Sequence, residues 1–136
     1  MAMDSFQLQA RLAADTTPVA DWAISRVLLM NDARYPWLIL VPRRAGLTEL
    51  HELKHAERMV LIEEINRASL GLKTLTNAVK INIGALGNLV PQLHIHVVAR
   101  KPGDAAWPGP VWGHGEAAAY EQGVKEALLE KLRAKL

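Results

Sequence analysis

A strict alternation of polar and apolar residues between Gln92 and Val97 constrains this chain more than any other feature. Successive side chains of a β-strand point to opposite faces of the sheet, so the pattern predicts a strand, expected over Leu93–Lys101. Its apolar side chains would face the core and its polar ones would share the other face, namely Leu93, Ile95 and Val97 against Gln92, His94 and His96. Two histidines at positions i and i+2 have Cα atoms about 7 Å apart, so both can contact one substrate group.

Three interpretations of the paired histidines are open from this spacing. One is a half-exposed strand whose polar face holds two solvated imidazoles. A second is a metal site, since His-x-His on a strand suits zinc or iron; its third ligand would come from His51, His55, His114 or a carboxylate. The third is phosphoryl chemistry, with one imidazole as the nucleophile and the other as a phosphate ligand.

The remaining pattern predicts an α+β fold with a mostly antiparallel sheet, one long helix packed on it and a C-terminal helix. Further strands are expected over Ile24–Asn31, Tyr35–Pro42 and Val79–Ile83. The long helix is expected to follow Thr48 as its N-cap, with Glu49 in the first turn. Apolar residues recur at three- and four-residue steps and so share one face of this helix: Leu61, Ile65, Ala68, Leu72 and Leu75. Its charged residues, Glu64 among them, are expected to face water.

The two ends of the chain give weaker patterns. Ser5–Ala14 is expected to be a short helix or an irregular arm, and Asp15–Pro18 a turn, because proline fixes its own φ and restricts its neighbour. The tail Glu116–Leu136 carries an approximately helical apolar stripe. We expect a single domain over residues 1–136, a length that can bury a sizeable core.

Composition excludes several classes of function. The chain has no cysteine, which excludes disulfides, thiolate catalysis and cysteine-type zinc sites. A formal net charge of +2, from 16 basic and 14 acidic residues, does not indicate a nucleic-acid-binding protein. The longest apolar run, Trp37–Val41, is too short to cross a bilayer, and the first residues lack the pattern of a signal peptide. We therefore expect a cytoplasmic protein without membrane contact.

Taken as a whole, Asn82–Arg100 closely resembles the signature of the histidine triad (HIT) family, in which histidine and hydrophobic residues alternate after an Asn-x-Gly element. Leu29–Asp32 and Trp37–Arg44 resemble the family's nucleoside-pocket strand and the strand that follows it, which ends in Val-Pro-Lys/Arg. Trp107-Pro108-Gly109 is similar to a Trp-Pro element of some members. The resemblance covers about Trp22–Trp112, and it is specific in combination.

The resemblance implies a mechanism and a set of site residues. In this family the middle histidine attacks the α-phosphorus of a nucleotide and forms a nucleotidyl-histidine, a role that falls on His94. In the family, a backbone carbonyl accepts a hydrogen bond from the other ring nitrogen of this histidine. The matching phosphate-binding positions are His96, Gln92, Asn82 and Asn88. The matching nucleoside-binding positions are Asn31, with Asp32 as a near alternative, and Val27 and Leu29.

Three departures from the family pattern bear on activity. Gln92 occupies the first histidine position, and glutamine carries no transferable proton at neutral pH. We therefore expect anhydride substrates, whose phosphate leaving groups are stable anions, to be favoured over phosphoramidates with amine leaving groups. Trp37 replaces a histidine that is usual in the family, and we interpret it as a core aromatic residue. Leu89 stands where some members place Ser or Thr.

The resulting hypothesis is a homodimeric HIT-like nucleotide hydrolase or transferase. It would bind a purine nucleotide, such as a dinucleoside polyphosphate, and release a nucleoside monophosphate. No metal ligand is expected, and no cofactor is required, although a divalent cation can accompany the substrate phosphates. The alternatives are a catalytically weak nucleotide-binding regulatory module and a His-x-His metalloprotein.

Overall fold

The computed structural model describes residues 5–136, which include one antiparallel sheet of five strands. The strands are β1 (Thr16–Asp21), β2 (Ser25–Met30), β3 (Trp37–Pro42), β4 (Lys80–Gly84) and β5 (Ile95–Arg100). Their order across the sheet is β1-β2-β3-β5-β4, so β5 lies between β3 and the edge strand β4. The predicted α+β class and antiparallel sheet are confirmed, and four of the strands begin and end within two residues of their predicted bounds.

The strand β1 was not predicted, because its residues include the segment Asp15–Pro18 that we interpreted as a turn. That interpretation is wrong: Thr16 pairs with Met30 and Pro18 with Leu28. Proline donates no backbone hydrogen bond, but β1 is an edge strand with only one neighbour, where proline is tolerated. The pairing register also shifts between Pro18 and Ala20.

Three α-helices accompany the sheet: α1 (Ala10–Asp15), α2 (His55–Thr76) and α3 (Val124–Lys135). The long helix begins six residues later than predicted, because Leu50–Glu52 forms a separate 3-10 turn. The Glu52 carboxylate accepts hydrogen bonds from the backbone of Thr48 and Glu49, so Thr48 does not cap α2. Consequently His51 and His55 do not share a helix face. None of the helices within residues 5–136 has the length and apolar character needed to cross a membrane.

The sheet separates two apolar clusters. On one face, alternate strand residues pack with α2 and α3, among them Val27, Leu29, Leu38, Leu40, Ile95 and Val97. On the opposite face a second cluster includes Leu28, Trp37, Ile39, Val41 and Val98. Because the side chains alternate, neighbouring residues of one strand belong to different clusters. The C-terminal helix buries Leu129 and Leu132 in the first cluster, although it begins later than the predicted tail segment at Glu116.

Glu64 joins α2 to the sheet, contrary to our expectation that it would face water. Its side chain is buried, and its two carboxylate oxygens accept hydrogen bonds of 3.0 Å from the backbone N–H groups of Ile24 and Ser25. Ile24 is the last residue of the connection between β1 and β2, and Ser25 is the first residue of β2. The carboxylate therefore satisfies two buried donors that have no partner on the neighbouring strands.

Removal of this carboxylate is expected to destabilise the fold. Glu64→Ala leaves two buried N–H groups unpaired and should lower the free energy of unfolding by about 2–5 kcal/mol, measured by urea denaturation. Glu64→Gln keeps one acceptor oxygen and should lose less. The matched control is the neighbouring Glu63→Ala, which is exposed and should change stability by no more than about 0.5 kcal/mol. Equal stability of the two alanine variants would contradict the assigned role.

The N-terminal segment is attached to the sheet through Gln92. Its side-chain oxygen accepts a hydrogen bond of 2.9 Å from the Gln9 backbone, and its side-chain nitrogen donates one of 2.9 Å to the Gln7 carbonyl. Gln9 in turn caps α1 by accepting from the backbone of Arg11 and Leu12. A single glutamine amide, with one acceptor and one donor end, thus holds the segment that leads into α1.

Gln92→Ala is expected to release this segment from the sheet. Hydrogen exchange of the backbone amides in residues 5–12 should become about tenfold faster, because two hydrogen bonds are lost while the core is untouched. The exposed Gln122→Ala serves as a control and should leave exchange in this segment unchanged. Unaltered exchange in Gln92→Ala would show that other contacts hold the segment.

Candidate functional site

His94 and His96 lie side by side on the sheet face opposite α2, with ring centroids 4.9 Å apart. Both are largely buried, and both line one cavity of about 530 Å³. The predicted division of the strand holds around them, since Leu93, Ile95 and Val97 pack in the helix-side cluster. The alternation therefore places two imidazoles together in a concave space that is large enough for a small molecule.

The hydrogen bond of His94 determines which of its ring nitrogens is free. Its Nδ1 lies 2.7 Å from the backbone carbonyl oxygen of Gln92. A carbonyl oxygen only accepts, so the neutral imidazole carries its proton on Nδ1 and keeps an unshared electron pair on Nε2. This is the tautomer that a nucleophilic histidine requires.

His96 has the opposite arrangement. The Nε1–H group of Trp37 donates a hydrogen bond of 3.0 Å to Nδ1 of His96, which must therefore be unprotonated. The ring is packed between Trp37 and Trp112, with centroid distances of 5.6 and 5.5 Å. Burial, together with the neighbouring His94, lowers the pKa of His96 to about 4. His96 is therefore neutral near pH 7 and carries its proton on Nε2.

Gly84, the glycine of the Asn-x-Gly element, lies beside these rings at a position with little space for a side chain. Gly84 pairs directly with His96 in the sheet, and a Cβ atom at this position would lie 3.1 Å from the Trp112 ring. That distance is shorter than ordinary van der Waals contact, so glycine permits Trp112 to pack over the end of β4. The following residues Leu86–Val90 form part of the cavity wall.

The structure brings only some of the sequence-predicted residues to this cavity. Asn88 lines it, and so does Asp32, whose buried carboxylate receives hydrogen bonds from Arg34. Burial raises the pKa of the Asp32 carboxyl, but the bonds from Arg34 and from backbone amides outweigh it, so the net pKa lies below its ordinary value. Asp32 is therefore a carboxylate at neutral pH, and its charge is paired with that of Arg34.

Other predicted residues are engaged elsewhere. Asn82 accepts a hydrogen bond of 2.7 Å from Arg100 through its side-chain oxygen. Asn31 accepts one from the Thr17 hydroxyl and borders a different cavity near Tyr120. The side chain of Gln92 is bound to the N-terminal segment, as described above. None of these three residues lines the cavity that holds the histidines.

Val27 and Leu29 lie on the wrong face of β2 to contact a nucleoside in this cavity, because they belong to the helix-side cluster. The register of β2 instead presents the alternate residues Leu28 and Met30 to the histidine side, and Met30 lines the cavity. The sequence-based prediction of a pocket strand at β2 thus named the residues of the opposite face.

Several lining residues were missed by sequence reasoning, and most of them are apolar. They include Ile39, Val111 and Trp112, with Trp37 as a hydrogen-bonding member and Arg11 and Arg34 as cationic ones. For Trp37 no signal exists in the sequence, because β3 is apolar throughout and buried on both faces; its pairing with β5 shows that Trp37 and Ile39 face the histidines. For Trp112 no periodic pattern exists, because it lies in an irregular segment.

A second cavity of about 250 Å³ adjoins the first. It shares Leu86, Gly87 and His94 with the larger cavity and adds Thr48 and His51 to its lining. His94 therefore lies at the junction of two spaces. Within residues 5–136, no group of three or more His, Asp or Glu side chains is placed to hold a metal ion, so the metalloprotein interpretation finds no third ligand there.

Comparison with known proteins places this chain in one family. A sequence model of the HIT domain matches residues 12–103. Among solved structures, a histidine triad protein from Bradyrhizobium japonicum is 46% identical, with a TM-score of 0.94 over 96% of this chain and 97% of that chain. One from Sinorhizobium meliloti is 45% identical, with a TM-score of 0.96 over 99% and 100% of the two chains.

A third histidine triad protein, from Marinobacter aquaeolei, is 44% identical and has a TM-score of 0.93 over 96% of each chain. The comparison with curated proteins finds no match. The family model covers well over half of the chain, and it includes both histidines of the cavity. The chain therefore belongs to the histidine triad (HIT) family.

Proposed function

We propose that this protein cleaves the α-phosphate linkage of a nucleotide by transferring the nucleotidyl group to His94. Membership of the HIT family supports a nucleotide-binding or nucleotide-hydrolase type of function in general. The observation that carries the finer proposal is the pair of opposed tautomers at the cavity. One ring offers an electron pair at Nε2 and the other offers an N–H group, which are the two groups that attack on a phosphate ester or anhydride requires.

The reaction divides into two balanced steps. His94 Nε2 attacks the α-phosphorus and forms a P–N bond, while the P–O bond to the leaving group breaks and its electron pair departs with the oxygen. Water then attacks the same phosphorus and the P–N electron pair returns to Nε2. A nucleoside monophosphate leaves, and the proton from water passes to solvent. Throughout, the Gln92 carbonyl holds Nδ1–H, and His96 donates from Nε2 to a non-bridging oxygen.

The residues that line the cavity are suited to bind a purine nucleotide. Apolar and aromatic side chains, among them Met30, Ile39 and Val111, offer contact to a base and a ribose, whereas Asn88 and the Asp32–Arg34 pair supply polar groups. Arg11 also lines the cavity, where its charge is offset by Asp15, a lining residue whose carboxylate lies 3.6 Å from the Arg11 guanidinium. A divalent cation can accompany those phosphates, but the covalent step through His94 does not call for one.

The state of Gln92 favours anhydride substrates such as dinucleoside polyphosphates. An amine leaving group needs a proton, and the amide of Gln92 has none to give and is already bound to the backbone of Gln7 and Gln9. A phosphate leaving group departs as a stable anion and needs no such help. Phosphoramidates are therefore expected to react more slowly.

A cytoplasmic homodimer belongs to the same proposal. One face of α2 exposes Met59, Ile62 and Leu70, and the edge strand β4 exposes Ile83, while β4 has an unpaired outer side. Exposed apolar side chains next to a free strand edge favour association with a second copy.

The test is trapping of the nucleotidyl-histidine. Purified protein is mixed with a dinucleoside polyphosphate or an adenosine phosphoramidate, quenched at neutral to alkaline pH because P–N bonds break in acid, and weighed by intact-mass spectrometry. We expect a nucleotide-sized mass gain and release of monophosphate, faster with the anhydride, and the loss of both in His94→Ala. His55→Ala, an exposed histidine outside both cavities, is the matched control and should behave like the unaltered protein.

The outcomes separate the two main functions. Binding of nucleotide without adduct or monophosphate would reject the hydrolase for these substrates and favour the regulatory binding module. Comparable turnover of both substrate classes would retain nucleotidyl transfer but contradict the expected preference for anhydrides.

The neutral state of His96 leads to a prediction about pH and stability. Its pKa falls from 6.5 in the unfolded chain to about 4 in the folded protein. Between these values the unfolded chain binds more protons, so the free energy of unfolding decreases as the pH falls through this window. In His96→Asn this part of the decrease disappears, amounting to about 1–2 kcal/mol between pH 7 and 5, measured by urea denaturation at both pH values. An identical decrease in both proteins would show that His96 does not titrate in this way.

A further inference from the structure

We propose that Trp37 is a positioning residue that fixes His96 as the Nε2–H tautomer, so that the ring presents a donor to the substrate. Its effect on catalysis rests on the proposed function, because a donor is useful there only if phosphate is bound beside His94. Its effect on the tautomer does not rest on that function, since it concerns the protein without substrate.

The pairing of β3 and β5 brings Trp37 next to His96. Ile39 lies directly opposite His96, and Trp37 lies two residues earlier on β3, opposite Val98. Trp37 is therefore the diagonal neighbour of His96 on the same face, within reach of a long aromatic side chain. The side chain of Trp37 is buried, which holds its indole against the histidine.

The indole nitrogen leaves His96 one neutral tautomer. Indole Nε1–H is a donor only, and at 3.0 Å it bonds to Nδ1 of His96. The alternative tautomer would place a hydrogen on Nδ1 of His96, pointing directly at the hydrogen of the Trp37 indole. The imidazolium form would do the same, so Trp37 also opposes protonation of the ring, in addition to burial. The single remaining hydrogen is then on Nε2.

Trp112 shows that the hydrogen bond of Trp37 is distinct from aromatic packing. Both indoles contact the His96 ring at similar distances, 5.6 Å for Trp37 and 5.5 Å for Trp112. Only the Nε1 of Trp37 is bonded to the histidine, whereas the buried Nε1 of Trp112 has no partner among the described residues. The two tryptophans therefore form a matched pair that differs in the interaction of interest.

Two hydrogen bonds give the histidine pair complementary roles. The Gln92 carbonyl forces the His94 proton onto Nδ1, and the Trp37 indole forces the His96 proton onto Nε2. Without Trp37, the neutral His96 ring can carry its proton on Nδ1 instead. Its Nε2 then has an unshared electron pair, which repels the phosphate oxygens. Trp37 thus takes part in function through His96, beyond its contribution to the core that we assigned it from the sequence.

The test uses Trp37→Phe, which keeps an aromatic ring but removes the donor. Nitrogen NMR of protein with 15N-labelled histidine reports the tautomer directly, and the His96 signals are assigned by their loss in His96→Asn. The unaltered protein should show one form, protonated on Nε2 alone. In Trp37→Phe we expect a measurable fraction protonated on Nδ1 and a pKa of His96 raised by about one unit, because one neutral hydrogen bond is lost.

Two further variants keep the test decisive. Trp112→Phe should leave the His96 tautomer unchanged, while Trp37→Leu, which also removes the N–H donor, should give a mixture of tautomers and is available if Trp37→Phe does not fold. A single Nε2–H form with an unchanged pKa in Trp37→Phe would overturn the proposal. So would an equal effect of Trp112→Phe, since packing would then explain it, or a single Nε2–H form in Trp37→Leu.

The catalytic arm measures adduct formation at saturating substrate. Loss of a whole oxyanion donor typically costs about 10²–10³ in rate; a donor present for part of the time should cost about tenfold in kcat, with a smaller change in KM. If no variant forms an adduct but the tautomer responds as described, the proposed function fails while the assignment of Trp37 to the tautomer stands. An adduct formed at an unchanged rate, with the tautomer altered, would overturn the role of Trp37 in the reaction.

Discussion

The pairing of β3 with β5 is the constraint on which the site depends. It places β5 inside the sheet, so that the histidine strand is held from both sides, and it sets Ile39 opposite His96. A displacement of β3 by one residue would move Trp37 to the helix-side face and bring Leu38 into the cavity. The same register therefore determines the cavity wall and the hydrogen-bonding partner of His96. The pairing of these two backbones therefore determines which ring nitrogen of His96 carries the proton.

Features with a short repeat could be predicted from the sequence. The alternation from Gln92 to Val97 correctly predicted one strand, two faces and a shared location for the histidines. The apolar steps along α2 predicted the long helix, although its start was misplaced because the Glu52 carboxylate closes a separate turn. The edge strand β1 was not predicted because it contains Pro18. Proline is tolerated in an edge strand but not between two neighbouring strands, and the local sequence does not reveal which position the strand takes.

Features that depend on distant partners could not be predicted in this way. Side-chain amides at Asn82 and Gln92 can bind a phosphate or the protein itself, and only the fold shows that Arg100 and the N-terminal backbone bind them. The faces of β2 were exchanged because a strand with buried residues on both sides has no polar face to orient it. Glu64 was misjudged for a related reason: its two backbone partners lie forty residues away.

The separation of the sheet into two apolar faces has a consequence for how substrate range can diverge among related proteins. Along β2 and β3, alternate positions belong either to the helix-side cluster or to the opposite face, where Met30, Trp37 and Ile39 line the cavity. Substitution at the cavity-facing positions can reshape the pocket while the helix-side cluster, which holds most of the buried core, remains intact. The sheet thus assigns the scaffold to one set of residues and the shape of the pocket to the interleaved set, within which Trp37 is constrained by its hydrogen bond to His96.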